Sequence, residues 1–308
     1  MNSTTIKRIC LLGFGEVGQV LARDLLAFTP NGLTLCAYDQ KFASPDVMVR
    51  QSWAAHSGVE IVKDAKVAAR GCQLVISAVT AGQALAAADS ILAGLEPGAF
   101  FLDVNSVSPG TKQNLSERVN QAGGRFVEAA IMSPIEPKRL KAPILLGGVD
   151  AQTFLPLGHG LGFSGMSFCD ERVGQAAATK MCRSVMIKGL EALITESLLS
   201  ARHYGVEKAV LESLNNLFPM PDWPGHAQYM ISRSVEHGVR RAEEMREVSR
   251  TVREAGVEPH MTDGCVERQE WAAQFTEALQ QPDLNPMLDA ILQQNNKQEQ
   301  SHEKAIDH

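Results

Sequence analysis

The sequence predicts an α/β fold, a doubly wound parallel sheet, followed by an all-α C-terminal domain. Three observations predict it. An apolar run at residues 6–12 feeds directly into Gly13-Phe14-Gly15-Glu16-Val17-Gly18, and Val17, Val20, Leu21, Leu25 and Phe28 then recur at helical spacing. From there to Cys169, short apolar runs alternate with helix-period segments, the order that builds a parallel sheet covered on both faces. After Gly174 the alternation stops and nearly everything has helical period.

The elements follow in order. Residues 33–38 read as the second strand, and residues 73–79 as a buried parallel strand. An alanine-rich helix covers 82–93, a strand 99–104, and a helix 111–122 that closes on Gly123-Gly124. Strands at 125–131 and 143–146 come next, the second ending at Gly147-Gly148; a helix at 150–161 and a strand at 166–169 finish the sheet. Beyond it, helices are expected at 176–203, 207–217, 226–255, 264–278 and 284–293, with Pro219, Pro221 and Pro224 interrupting before His226. The boundary falls near residues 170–174. Residues 1–172 are expected to form an α/β domain and 173–293 an all-helical one. The polar tail 294–308 is expected to be disordered. Trp53, Trp223 and Trp271 read as packing anchors.

Composition narrows the function. The 308 residues suffice for two domains of ordinary size, and 21% charged with 44% apolar residues is a soluble globular balance. A net charge of -6 without a basic run argues against nucleic acid as the main partner. The apolar stretch 190–199 is short and interrupted by Glu191 and Glu196, so no membrane span is expected, and the N-terminus lacks the apolar core of a signal peptide. Cys10, Cys36, Cys72, Cys169, Cys182 and Cys265 lack C-x-x-C spacing and read as reduced, mostly buried thiols of a cytoplasmic protein. No metal-ligand cluster stands out among the 8 histidines.

The glycine spacing carries the first chemical inference. Gly13 permits a tight turn, Gly15 lets a pyrophosphate approach the backbone, and Gly18 lets the helix pack closely on its strand. The helix N-terminus then offers N–H groups and a positive dipole end to the phosphates. A G-x-G-x-x-G is common by itself, but here a strand precedes it, a helix follows, and Asp39 closes the second strand 21 residues after Gly18. A carboxylate at that place accepts hydrogen bonds from an adenosine ribose. The combination predicts a Rossmann-type sheet that binds NAD or NADP through Gly13, Phe14, Gly15, Glu16, Val17, Gly18 and Asp39. Asp39 favours NAD, because a carboxylate repels a 2′-phosphate; Lys41 leaves NADP open. Val79 and Thr80 end another strand, and their backbone is expected to pass the cofactor ribose. Asn105 and Ser106 lie just past a strand's C-terminal end, where open α/β sheets bind ligands; a simple turn is the alternative there.

The helix at 176–203 carries the second inference. At roughly 100° per residue, Lys180, Ser184, Lys188, Glu191 and Thr195 fall within about 80° of arc. Met181, Cys182, Val185, Met186, Leu190, Leu193 and Ile194 occupy most of the rest. A narrow polar stripe on a largely apolar helix suits the wall of a water-filled cleft; a solvated stripe with snorkelling lysine stems is the plainer reading. Lysine suits proton transfer in alcohol oxidation, since burial lowers its pKa and a neutral amine can take the hydroxyl proton. Ser184 can hydrogen-bond the reacting oxygen, and Lys188 can pair with an anionic substrate group.

At these residues the chain resembles the β-hydroxyacid dehydrogenase and 6-phosphogluconate dehydrogenase superfamily. The glycine turn is similar to its opening cofactor turn. Asp103-Val104-Asn105-Ser106-Val107-Ser108-Pro109 resembles its Asp-x-Ser-Thr-x-x-Pro segment. Val173-Gly174-Gln175-Ala176-Ala177-Ala178-Thr179-Lys180 resembles the segment that delivers the catalytic lysine. The likeness implies a Rossmann domain joined to an all-helical domain, NAD or NADP, oxidation of a β-hydroxy acid, and a homodimer formed through the helical domain with the active site between domains. It departs at Glu128-Ala129-Ala130-Ile131-Met132-Ser133-Pro134, where the family has a glycine pair, and at Ser184, where it has asparagine. Arg240-Arg241-Ala242-Glu243-Glu244 replaces a later Lys-Asp pair.

The expected site is therefore Lys180 as general acid and base, with Ser106 and Ser184 orienting a small anionic substrate that Ser133, Lys188 and Arg241 help to bind. Arg240 and Arg241 are also read as a solvated face, and His226 as structural. Oxidative decarboxylation is the alternative chemistry and needs a phosphate grip from Lys188, Arg240 and Arg241. A dinucleotide-sensing protein without chemistry is the third reading.

Overall fold

A computed structural model describes residues 6–29, 32–43, 58–216, 219 and 221–306, the stretch 299–306 by its backbone. Trp53 and the predicted helix end at Leu217 lie outside the described residues. The chain divides into two compact units, Met1–Met181 and Cys182–His308.

The first unit is built on β1 (Arg8–Leu12), β2 (Thr34–Tyr38), β3 (Glu60–Ile61), β4 (Leu74–Ser77), β5 (Phe100–Asp103), β6 (Arg125–Ile131), β7 (Ile144–Gly147) and β8 (Met166–Asp170). They form one sheet in the order β3-β2-β1-β4-β5-β6-β7-β8. The helices of this unit are α1 (Glu16–Phe28), α2 (Ala65–Ala69), α3 (Ala84–Leu92), α4 (Pro109–Gln121) and α5 (Ala151–Gly160). Both faces are covered, as strand alternation shows: Ile9 and Leu11 of β1 join one apolar cluster, Cys10 and Leu12 the other. Burying Ile9, Leu11 and Leu12 contributes about 1.5–3 kcal/mol each over leaving them in water. Chain order reverses between β1 and β4, so their C-terminal ends flank the crevice where such sheets take ligands.

The sheet differs from the all-parallel expectation at its far edge. β7 pairs antiparallel with β6, and β8 runs parallel to β7. A parallel return requires a crossover, usually a helix, whereas the connection from β6 to β7 holds only a 3-10 turn at Arg139–Lys141. The short edge strand β3 was not read from the sequence; its two residues show no period.

α6 (Gln175–His203) starts in the first unit and continues into the second, which adds α7 (Glu207–Leu214), α8 (Trp223–Glu254), α9 (His260–Ala272) and α10 (Leu284–Ile306). Leu198, Ile231, Val235, Phe275 and Leu288 are among the residues of the helical core. α8 and α9 touch closely: a Cβ on Gly238 would lie 2.3 Å from the Gln269 carbonyl oxygen. The tail is a correction. Helix runs to Ile306 instead of ending near Gln293, and Gln294 and Asn295 are tied to Glu277 and Trp271. The Gln-, Lys- and Glu-rich segment beyond is a good helix former once its start is packed. Among the described residues, no helix is long and apolar enough to cross a membrane, and no cluster suits a metal ion.

Candidate active site

The glycine turn forms where β1 meets α1. Gly13 has φ +95°, a left-handed conformation, and a Cβ there would lie 2.3 Å from the Ala78 carbonyl oxygen. Gly18 is required by space: its Cβ would sit 2.4 Å from the Gly13 carbonyl oxygen, so the helix can approach the turn only without a side chain. Gly15 is the N-cap of α1, no side chain caps it, and a Cβ there would meet nothing within 4 Å. An uncapped helix start open to that approach is the arrangement a pyrophosphate fits. Phe14 turns its side chain inward against Phe42, Glu16 is exposed in the first turn, and Val17 is half-buried on the core.

Asp39, just past β2, bridges two backbone amides. Phe14 N donates to Oδ2 at 2.8 Å and Lys41 N donates to Oδ1 at 2.9 Å. Each carboxylate oxygen retains a further lone pair for a ribose hydroxyl. The carboxylate therefore also braces the glycine turn.

The ends of β4 and β5 are stitched together by Asn105. Its Oδ1 accepts from Val79 N at 2.7 Å, while its Nδ2 donates to Ser77 Oγ at 2.9 Å and to Asp103 Oδ1 at 2.5 Å. The side chain is 4% exposed, and both donors of its amide are engaged within the protein. Asn105, expected beside the cofactor, here shapes the crevice by holding Val79 next to the segment that follows β5. Thr80 is exposed at the start of a 3-10 turn. Beneath lies an ion pair the sequence did not suggest. Lys112 of α4 is fully buried and donates to Asp103 Oδ2 at 2.6 Å and to the Asp103 carbonyl at 2.8 Å.

Lys180 and Ser106 meet. Lys180 Nζ donates to Ser106 Oγ at 2.6 Å, across 74 residues of sequence. Both are half-buried. The start of α6 is held by Glu128 of β6, whose carboxylate accepts from Gly174 N and Ala177 N at 2.6 Å each. Glu128 also escaped the sequence reading as a functional residue; a lone acid in the apolar strand 126–131 was its signal. Ser184 is half-buried one turn beyond Lys180 on the same helix.

Farther along α6 the residues expected at the substrate pair with carboxylates. Lys188 is ion-paired with Glu244 of α8, which also accepts from Arg240 at 3.1 Å. Arg241 of α8 is ion-paired with Glu191 of α6. In this arrangement Lys188 and Arg241 each pair with a largely buried carboxylate. Burial pushes the Glu191 carboxyl above its usual range, against the opposing pull of the Arg241 guanidinium. Thr195 is fully buried on the same stripe and donates to the Glu191 carbonyl at 2.7 Å. At Lys188 and Glu191 the stripe therefore faces α8. Ser133 Oγ donates to the adjacent Pro134 carbonyl at 3.0 Å, a local turn contact. His226 packs edge-on against Trp223, with ring centroids 5.9 Å apart, a structural role.

The sheet order, the glycine turn and the carboxylate after β2 define a dinucleotide-binding α/β protein with a lysine–serine pair on its crevice-side segments. Comparison with known proteins narrows this. The model of the NAD-binding domain of 6-phosphogluconate dehydrogenase matches residues 8–154, and a domain of unknown function, DUF1932, matches residues 201–272. A conserved hypothetical protein from Sinorhizobium meliloti 1021 aligns with a TM-score of 0.75 at 33% identity, over 94% of this chain and 96% of that one. A conserved protein of unknown function, described as structurally similar to 3-hydroxyacid dehydrogenases, aligns with a TM-score of 0.67 at 31% identity, over 87% and 97% of the two chains. The mitochondrial 3-hydroxyisobutyrate dehydrogenase of Homo sapiens is 23% identical over 67% of this chain, and the match spans 60% of that protein's length. The chain belongs to the NAD-binding, 3-hydroxyacid dehydrogenase-like family.

Proposed function

We propose that the protein is an NAD(P)-dependent dehydrogenase of a small β-hydroxy acid, with Lys180 as general acid and base. The observation that carries this reading is the 2.6 Å hydrogen bond from Lys180 Nζ to Ser106 Oγ. A dinucleotide fits the uncapped start of α1: Gly13 to Gly18 would hold its pyrophosphate and Asp39 its adenosine ribose. When bound, its nicotinamide supplies the hydride acceptor. Ser106 orients the substrate hydroxyl, a neutral Lys180 amine takes that hydroxyl's proton during oxidation, and the ammonium returns it in reduction. Ser184 offers a second hydroxyl on the same side of α6. The Asp39 carboxylate favours NAD over NADP by repelling a 2′-phosphate.

Two other readings lose support. Oxidative decarboxylation of a phosphorylated substrate needs a cationic grip, and its candidates Lys188, Arg240 and Arg241 are all ion-paired with carboxylates. A pure sensor has no use for a lysine held on a serine hydroxyl. Screening hydroxy acids by NAD(P)H absorbance with both cofactors, beginning with 3-hydroxyisobutyrate, tests the reading. Lys180→Met is expected to lower kcat by about 1000-fold while NADH still binds; retained wild-type turnover rejects the assignment.

The reading includes a homodimer through the helical unit. Met186, Leu190 and Leu193 are exposed on α6 on the side away from its polar stripe, an apolar row that a second copy would cover. Light scattering should show a dimer that Leu190→Glu dissociates; a monomeric wild type discards this part alone.

A further inference from the structure

We propose that Glu128 is the positioning residue for Lys180: its buried carboxylate caps the helix that carries the lysine and thereby sets the amine against Ser106. The inference rests on the proton-transfer reading of Lys180.

Three observations carry it. First, the cap is non-local. The N-terminal amides of a helix usually find a serine, threonine, aspartate or asparagine at the N-cap itself. Here Gly174, at φ +104°, precedes the helix and supplies no side chain. The acceptor comes from a strand 46 residues earlier. A local cap stabilises a helix wherever it lies, whereas a cap rooted in the sheet ties the helix to the sheet. The amides held are Gly174 N and Ala177 N, and Lys180 follows Ala177 by three residues, less than one turn.

Second, the register joins both partners of the lysine–serine pair. Glu128 of β6 is paired with Asp103 of β5. Asp103 is fixed by Lys112 and Asn105, and Ser106 directly follows Asn105. Two fully buried carboxylates, side by side on adjacent strands, thus anchor the segment bearing Ser106 and the helix bearing Lys180.

Third, the fold makes room for the acid. Gly147 of β7 is the register partner of Glu128 on its other side, and a Cβ there would lie 2.5 Å from Glu128 Oε2. Gly147 is not among the glycines with positive φ, so space and not backbone conformation calls for glycine. Burying a carboxylate is costly without full hydrogen bonding. A capping side chain at position 174 would be strained at that φ and would press on Pro109, so the acceptor comes from the sheet.

The test uses the full-length protein with two variants. Glu128→Gln keeps one acceptor but turns an amide donor toward the second backbone N–H. Gly147→Ala keeps the acid and pushes it off the helix. For each we would measure kcat and KM with 3-hydroxyisobutyrate and NAD, the NADH dissociation constant, and the rate of Lys180 acetylation by acetic anhydride, read by mass spectrometry. Expected are a kcat loss of roughly 10- to 100-fold, unchanged NADH affinity, and a several-fold change in Lys180 labelling in both variants. A merely structural cap would lower the melting temperature and leave labelling and kcat of the folded protein at wild-type values, and that outcome overturns the proposal. If Glu128→Gln does not fold, Gly147→Ala decides by the same criteria. The labelling arm needs no substrate. If Lys180→Met keeps full turnover, the proton-transfer reading fails, while labelling still reports whether Glu128 sets the amine's position.

Discussion

Lys180 and Lys188 stand eight residues apart on one stripe of α6, and their spacing makes them look alike. Their partners differ. Lys180 donates to a serine hydroxyl at 2.6 Å, whereas Lys188 is ion-paired with Glu244, and its side chain is only 13% exposed. A hydroxyl partner resembles the group that the proposed reaction would deprotonate, so a substrate could share or replace it. A carboxylate partner holds its lysine as a charge, and a substrate anion would have to outcompete it. The stripe continues through Glu191, ion-paired with Arg241, to fully buried Thr195, while Met186 and Leu193 on the opposite side are exposed. A polar stripe on an apolar helix therefore reports a polar partner; the chemistry depends on which partner it is.

Four substitutions would break or sharpen this contrast. The largest effect is expected at Lys180: Lys180→Met should lower kcat by about 1000-fold, near 4 kcal/mol of barrier, with NADH affinity kept in a fluorescence titration. Comparable loss from Lys188→Met in a stable, folded protein would erase the distinction between the two lysines. Next comes Lys112, the third lysine of the comparison and the most deeply buried. Lys112→Met leaves Asp103 in the core without a counter-charge and should cost about 3–5 kcal/mol in urea unfolding. Lys188→Met should cost less, about 1–3 kcal/mol, because Glu244 keeps its bond from Arg240; turnover per folded molecule should stay at the wild-type level.

The smallest effect concerns pH. The Glu191 carboxyl is raised by burial, so the native chain holds its proton more tightly than the unfolded chain does. This group's stabilising share is full below the unfolded carboxyl range, about 4.3, and is lost as pH rises through the raised folded value. Glu191→Gln removes that slope. The melting-temperature difference, variant minus wild type, should become more positive by a few degrees between about pH 4 and about pH 7. A difference that moves the other way would mean that the Arg241 pairing, and not burial, governs this acid.

Much of the fold is legible in the sequence because its signals are local. A glycine that must adopt positive φ, a glycine that must clear a neighbouring carbonyl, and apolar residues at period two or 3.6 all leave their mark within a dozen positions. The β7 reversal was harder, since strand direction depends on whether the intervening loop can form a crossover, and an apolar run at 143–146 reads the same either way. At the tail, polarity alone suggests disorder, whereas the packed start of α10 and the contacts at Gln294 and Asn295 continue the helix.

Within the site the division is sharper. The turn at Gly13 to Gly18, the acid at Asp39 and the lysine at Lys180 are visible in one dimension, because each is defined by its spacing from a strand or helix end. Asn105 bracing Val79, Lys112 under Asp103, Glu128 at the head of α6 and Glu244 on Lys188 are not visible there. Every one of those contacts joins residues brought together by strand order or helix packing, and Glu128 reaches its amides across 46 and 49 positions. Residue type and spacing show which groups can do chemistry. Whether a buried charge is free to act or already neutralised depends on the neighbour that the folded chain places within about 3 Å of it.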